Sequence, residues 1–271
     1  MLKDITFGQY VFRKSSIHKL DPRFKLIVTV VYIVLLFVLS TLECATFAFL
    51  FMVCMYFAAK IPIKMLLRSL KPILPIVIFT AVLNTFFVGG RDVLVEFWII
   101  KITAQGLYFA VLLSLRIIAL LAASSLLTYT TSPIELTDAI ERLLSPFSKI
   151  GVPVHELAMM MTIALRFIPT LIEETDRIMS AQKSRGANID TGKFVSRVKA
   201  LIPILVPLFI SAFRRADELA LAMECRCYHG GEGRTRLKQL KFKTIDIFGI
   251  VVFLIFGTAM FFLSKFSLQV M

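Results

Sequence analysis

Two arginines, Arg185 and Arg226, stand 41 residues apart, and each closes a long stretch of helical pattern. The two stretches end in DRIMSAQKSRG and DELALAMECRC. With the arginines superposed, Asp176 falls on Asp217 and Ala181 on Ala222. A guanidinium is always charged and offers a rigid fork of donors. At a helix C-terminus it also complements the negative end of the dipole. Small neighbours would let such a tip enter a narrow groove, where a carboxylate could hold the fork by paired hydrogen bonds. The plain alternative is an ordinary cationic cap on each helix.

Other residues carry less chemistry. Arg116 lies inside an apolar stretch, where an arginine costs about 2.5–3.5 kcal/mol on insertion scales. It reads either as a gating or substrate contact or as one half of a structural pair with a neighbouring helix or carbonyl. Cys225-Arg-Cys227-Tyr-His229 has the wrong spacing for structural zinc, whose Cys pairs are two to four residues apart. His155-Glu156 lacks a second His at position 159, which is Met. The run Gly230-Gly-Glu-Gly-Arg234 lacks the Gly-Lys-Ser/Thr ending of a phosphate loop and reads as a connector. No metal site and no catalytic group is expected.

These residues need elements to hold them. The chain has 271 residues; 58% are hydrophobic and 18% charged. Soluble domains sit near 45–50% and about 25%, so the composition excludes a water-soluble fold, a disordered chain and a disulfide scaffold. The four cysteines read as reduced thiols. Apolar segments at 26–40, 45–59, 72–90, 106–130 and 245–263 are candidate membrane spans. The first two are short, with a tight turn expected at 41–44. Ala119, Ala122, Ala123, Ser124 and Ser125 suit close approach of a neighbouring helix. No cleavable leader precedes Leu26, and the first span is read as retained.

Charge placement orients the spans. With a cytoplasmic N-terminus, 27 Lys and Arg lie inside and three, Arg91, Lys101 and Lys265, lie outside. The short 60–71 loop, with Lys60, Lys64, Arg68 and Lys71, weighs most in this count.

Residues 131–243 are too long for a loop and too amphipathic for a linker. Ser132-Pro133-Ile134-Glu135 opens a helix with an N-cap, a first-turn proline and an acid, running to Leu144 and stopping before Pro146. Val154, Leu157, Met161, Leu165, Ile168, Ile172 and Met179 repeat at helical spacing and define a second helix from Val154 to Lys183, bent at Pro169. A third runs from about Lys193 to Arg226, with kinks expected at Pro203 and Pro207. Met159, Met160, Met161 and Leu165 on the second helix suit a surface that accepts several partners, or plain core packing. Leu201, Leu205 and Phe209 on the third have the same two readings.

The ends 182–187 and 222–228 resemble the paired Ala-Arg-Gly signatures of the transmembrane T component of energy-coupling factor transporters. The resemblance extends to Leu20-Asp21-Pro22-Arg23-Lys25, the early spans, the two long helices and the last span. Ser184 replaces Ala in the first copy; Cys225 and Cys227 replace Ala and Gly in the second. The resemblance implies an all-α membrane protein of about five transmembrane helices plus a cytoplasmic region with two long crossing coupling helices. The division it implies is an N-terminal segment at 1–25, spans at 26–130, the coupling region at 131–243 and the last span with an external tail at 244–271. It further implies a non-catalytic subunit in a prokaryotic cell membrane, with no cofactor of its own and with ATP and Mg on its partners. Those partners are two ABC-type ATPases, A and A′, and one or several membrane-embedded substrate-binding S components. Ser184–Gly186 and Cys225–Cys227 would dock on the ATPases, and Met159–Met161, Leu165, Leu201, Leu205 and Phe209 would contact the S component. The imported substrate would be a vitamin or another micronutrient.

Three rivals remain. A self-contained secondary transporter or channel predicts paired intramembrane carboxylates and broken helices, yet the sequence offers Glu43 and Asp246 near span ends and Arg116 within. An intramembrane enzyme needs a catalytic pair, which the sequence does not show. A nucleic-acid binder would exploit the net charge of +13, but 131–243 carries only +5, with both signs mixed along its helices.

Overall fold

Seventeen residues from Pro22 to Val38 form α1, and seventeen from Leu42 to Ala58 form α2. In the computed structural model, which describes residues 10–38, 41–89, 93–97, 100–187, 194–230 and 242–270, residues 42–44 of the expected turn at 41–44 are already helical. Thr41 takes the extended N-cap conformation and Glu43 already sits in the first turn of α2, where its charge favours the dipole. Cys44 is therefore helical and buried.

The 60–71 segment is not a plain loop. It folds as the short amphipathic α3 (Ile63–Leu70), which bends by 63° into α4 (Leu74–Phe87). Pro72 sits at the break, where its missing N–H and its restriction of the preceding residue end a helix. A two-stranded antiparallel hairpin follows, β1 (Val93–Phe97) and β2 (Ile100–Thr103), with Glu96 opposite Lys101. It is the exception to an otherwise helical chain. Thr103 then caps α5 (Ala104–Thr130) by accepting the Gly106 amide at 3.1 Å. α6 (Pro133–Leu144) starts as expected, Ser132 Oγ accepting the Glu135 amide at 3.3 Å. A 3₁₀ turn at Ser145–Ile150 leads to α7 (Val154–Ser184), then α8 (Phe194–Glu224) and α9 (Thr244–Val270).

The helices form two compact units. One comprises Gly8–Ala139 with Gln239–Met271, the other Ile140–Lys238. In the first, α1, α2, α5 and α9 share a core containing Tyr32, Leu36, Ala48, Met52, Tyr56 and Phe256. Ala119, Ala122 and Ala123 of α5 are buried in it, as their small size foreshadows. The buried tyrosines satisfy their hydroxyls on carbonyls of neighbouring helices. Tyr32 donates to Ala48 at 3.0 Å and Tyr56 to Ala122 at 3.1 Å. The Phe256 ring stacks on Tyr32, Phe47 and Phe51.

One end of this unit is closed by a polar cluster. The Asp246 carboxylate, fully buried, accepts the Asp21 amide at 2.7 Å and the Lys243 amide at 2.6 Å. Asp21 in turn holds the Arg23 guanidinium at 2.8 and 3.1 Å. Burial raises the Asp21 pKa, but the hydrogen bonds and charge of Arg23 outweigh it and leave the carboxyl below its ordinary value. Lys25 donates to the Thr130 carbonyl at 2.8 Å, tying α1 to the end of α5.

Among the described residues, α5, α7 and α9 (Thr244–Phe266) are long and apolar enough to cross a membrane, and the bent α3–α4 pair would make a fourth span. α7 passes although its sequence falls in the 131–243 region. Leu157, Met160 and Met161 are exposed on it, so its apolarity belongs to a surface that requires a cover.

Candidate functional site

The unit that carries Arg185 and Arg226 is built on α7 and α8. Three contacts set their direction. Gln182 reaches the Pro203 carbonyl at 3.3 Å, Glu174 binds Ser211 and Arg215, and Tyr228 donates to the Met159 sulfur at 2.9 Å. As one helix advances the other retreats, so the pair is antiparallel. Pro169, Pro203 and Pro207 all lie inside the helices. Since Gln182 lies level with Pro203 and Arg185 lies three residues beyond it, Arg185 and Arg226 sit at opposite ends, about 40 Å apart by the rise along α8.

Each arginine sits in the same backbone ending. After α7, the Gly186 amide returns to the Lys183 carbonyl at 3.0 Å and the Ala187 amide to Gln182 at 3.0 Å. After α8, the Cys227 amide returns to Glu224 at 2.8 Å and the Tyr228 amide to Met223 at 3.0 Å. This is the paired Schellman closure of a helix C-terminus, with the arginine as the last residue before the left-handed turn. Gly186 adopts φ +86° and Cys227 φ +55°. Glycine takes that region freely; a residue with Cβ pays roughly 1–2 kcal/mol. The two copies seen in sequence are thus two copies in backbone geometry, and the substitution of Cys for Gly changes the strain and keeps the shape.

Both guanidinium-bearing residues are exposed, as are Ser184, Gly186, Cys225 and Cys227. Among the described residues, neither Arg185 nor Arg226 forms an ion pair or a side-chain hydrogen bond. Each tip therefore presents an uncommitted cation on a rigid stem.

The apolar candidates divide. Met160 (57% exposed), Met161, Leu201, Leu205 and Phe209 (61% exposed) lie on the surface, with Ile202, Val206, Ile210 and Phe213 extending the α8 face. Met159 and Leu165 are half-buried, Met159 through its contact with Tyr228. The Glu174 cluster is absent from the sequence analysis. Its carboxylate joins Arg215 at 2.6 Å and Ser211 across the two helices. Glu174 and Arg215 are 41 residues apart, and nothing local marks them as partners.

Arg116, in the other unit, lies with its guanidinium 5.8 Å from the centre of the Phe37 ring. Its Nε and Nη2 are buried without a hydrogen-bond partner. Among the described residues the charge thus meets an aromatic face and no carboxylate or carbonyl. His155 binds Glu141 at 2.9 Å, and among the described residues no three His, Cys, Asp or Glu side chains gather as a metal site.

Residues 13–237 match the family model described as "CbiQ: Cobalt transport protein". The chain is similar to the "Energy-coupling factor transporter transmembrane protein EcfT" of Clostridium kluyveri, 54% identical over 91% of this chain and 92% of that one. The protein of the same name from Ruminiclostridium cellulolyticum is 51% identical over 95% and 96%. That from Thermosediminibacter oceani is 52% identical over 91% and 92%.

Proposed function

Because the chain belongs to the CbiQ family of cobalt transport proteins, which it matches over most of its length, we propose that it is the coupling subunit of an ATP-driven energy-coupling factor importer. In this reading Arg185 and Arg226 each dock in a carboxylate-bearing groove on one of two ATPase subunits. Arginine suits that task because its fork binds a carboxylate through two parallel hydrogen bonds. The observation that carries the reading is the pair of identical helix endings, each offering an exposed and uncommitted arginine.

Two tips about 40 Å apart on antiparallel helices suit two motor subunits that move relative to each other. The Glu174–Arg215 bridge joins the helices between the tips, so displacement of either tip is felt by the other. The exposed apolar face from Leu201 to Phe213, with Met160 and Met161, is the surface offered to a membrane-embedded S component that captures a vitamin or other micronutrient. The chain itself then performs no catalysis, and ATP and Mg belong to the partners. Charge placement supports a cytoplasmic N-terminus and cytoplasmic arginine tips.

The test is co-purification in mild detergent with partner identification, combined with an uptake assay. The wild-type chain is expected to bring down two nucleotide-binding proteins and a small hydrophobic protein. The double variant Arg185→Ala/Arg226→Ala is expected to lose the ATPases and uptake while keeping its fold. Normal ATPase association and uptake in that variant refute the docking role. Transport by the purified chain alone in liposomes would favour a self-contained transporter.

A further inference from the structure

Beside the polar cluster of the membrane unit, α1, α2 and α9 meet around an apolar gap. They leave a cleft of 220 Å³ walled by Phe24, Val28, Met55, Phe248, Val252 and Phe253. Its wall is apolar, and most of its residues are half-buried, so the cleft opens at the surface of the bundle. It continues past Phe253 into a second apolar groove of 420 Å³ between α1 and α9, which reaches Phe262. From Ile245 to Phe253 the rise along α9 is about 12 Å, close to one leaflet of a hydrocarbon core about 30 Å thick.

Cationic residues adjoin the lining residues of the cleft in sequence at the end nearest the polar cluster. Lys19 precedes Leu20 of the wall, Lys60 follows Ala58 of the wall by two residues, and Lys243 precedes Ile245 of the wall by two. All three are exposed. Arg13 adds a fourth charge by donating to the Lys60 carbonyl at 2.6 Å. Among the described residues none of the four is in an ion pair. The nearby carboxylates have other partners: Asp21 holds Arg23, Asp246 accepts two backbone amides, and both are buried.

We propose that this cleft is a binding site for an anionic phospholipid. One acyl chain lies along α9 against Phe24, Met55 and Val252, and the headgroup phosphate sits among Lys19, Lys60 and Lys243. An apolar slot one leaflet deep accounts for the chain. A cationic rim without competing carboxylates accounts for the net negative headgroup and selects against zwitterionic lipids. The site does not depend on the docking role of Arg185 and Arg226.

Retention of dioleoyl phosphatidylglycerol by the purified full-length chain, read by native mass spectrometry, tests the proposal. Dioleoyl phosphatidylcholine and inorganic phosphate serve as the other probes. Phosphatidylglycerol is expected to stay bound and to raise the thermal midpoint; the other two are expected to do neither. Lys19→Gln/Lys243→Gln is expected to weaken phosphatidylglycerol binding by about 30-fold. Ala58→Phe, which fills the cleft from an exposed position, is expected to reduce retention with the rim intact. Equal retention of both lipids, reproduction of the effect by phosphate alone, or wild-type retention in the rim variant overturns the proposal.

Discussion

Arg185 and Arg226 are the last residues before a left-handed turn in two copies of one helix ending, but the turn is made by Gly186 in one copy and by Cys227 in the other. The same hydrogen bonds thus close a relaxed ending and a strained one.

The strain gives opposite signs to two substitutions. Cys227→Gly is expected to stabilise the α8 ending by about 1 kcal/mol, and Gly186→Ala to destabilise the α7 ending by a similar amount. No atom lies within 4 Å of a Cβ built on Gly186, so the second effect is purely conformational. Hydrogen exchange at the Tyr228 and Ala187 amides reads each ending separately. Equal protection in wild type and both variants would show that the closures carry no strain difference.

The Glu174–Arg215 bridge is half-exposed, and water screens part of its strength. A double-mutant cycle with Glu174→Gln and Arg215→Gln is expected to give a coupling energy of about 1 kcal/mol in thermal or denaturant unfolding. A cycle that closes to zero would mean that Ser211 alone holds the carboxylate.

Glycines in the membrane unit differ in what surrounds them. A Cβ on Gly106 would lie 2.9 Å from the Asn84 carbonyl oxygen and 3.2 Å from that of Thr85, where α4 and α5 meet. Gly106→Ala is expected to cost about 1–3 kcal/mol through separation of the two helices. Gly257 has no atom within 4 Å, and Gly257→Ala is expected to be neutral or stabilising by about 0.5–1 kcal/mol. Thermal midpoints of the two variants in one detergent check the contrast.

His18 supplies a pH dependence. Its Nε2 meets the Val11 carbonyl at 3.0 Å and its Nδ1 the Ser15 hydroxyl at 2.7 Å, a pattern that the neutral ring completes. Burial, helped by the Lys25 charge, lowers its pKa below the ordinary 6.5. The folded state therefore binds fewer protons than the unfolded one, so stability is full above about 6.5 and falls as pH drops through the lowered folded value. The thermal midpoint is expected to decline below that pH, and His18→Gln is expected to flatten the decline. A decline of the same slope in the variant would assign it to other groups.

Much of this arrangement was legible in the residues. The twin endings were visible because a Schellman closure is local: arginine, small flanks and a helical period lie within one short stretch. The apolar runs are local in the same way, and they fall largely on α1, α2, α4, α5 and α9. Helix starts within the expected turn at 41–44 because Thr41 and Glu43 are good helix-start residues that a count of apolar positions passes over. The hairpin at Val93–Thr103 leaves a weak mark in the residues, because Leu94 breaks the alternation of apolar Val93, Val95 and Phe97 with polar neighbours. Glu174 with Arg215, and Arg116 with Phe37, were out of reach because each partner comes from a distant helix.

The Asp21 amide waits for a carboxylate 225 residues downstream. On a ribosome that emits the chain from its start, the opening spans are laid down long before the group that seals them exists. The bundle can thus be finished only after the closing helix has emerged, and any message cut short ahead of residue 246 yields a product whose first turn is left with an open donor. Such a product carries its own mark of incompleteness.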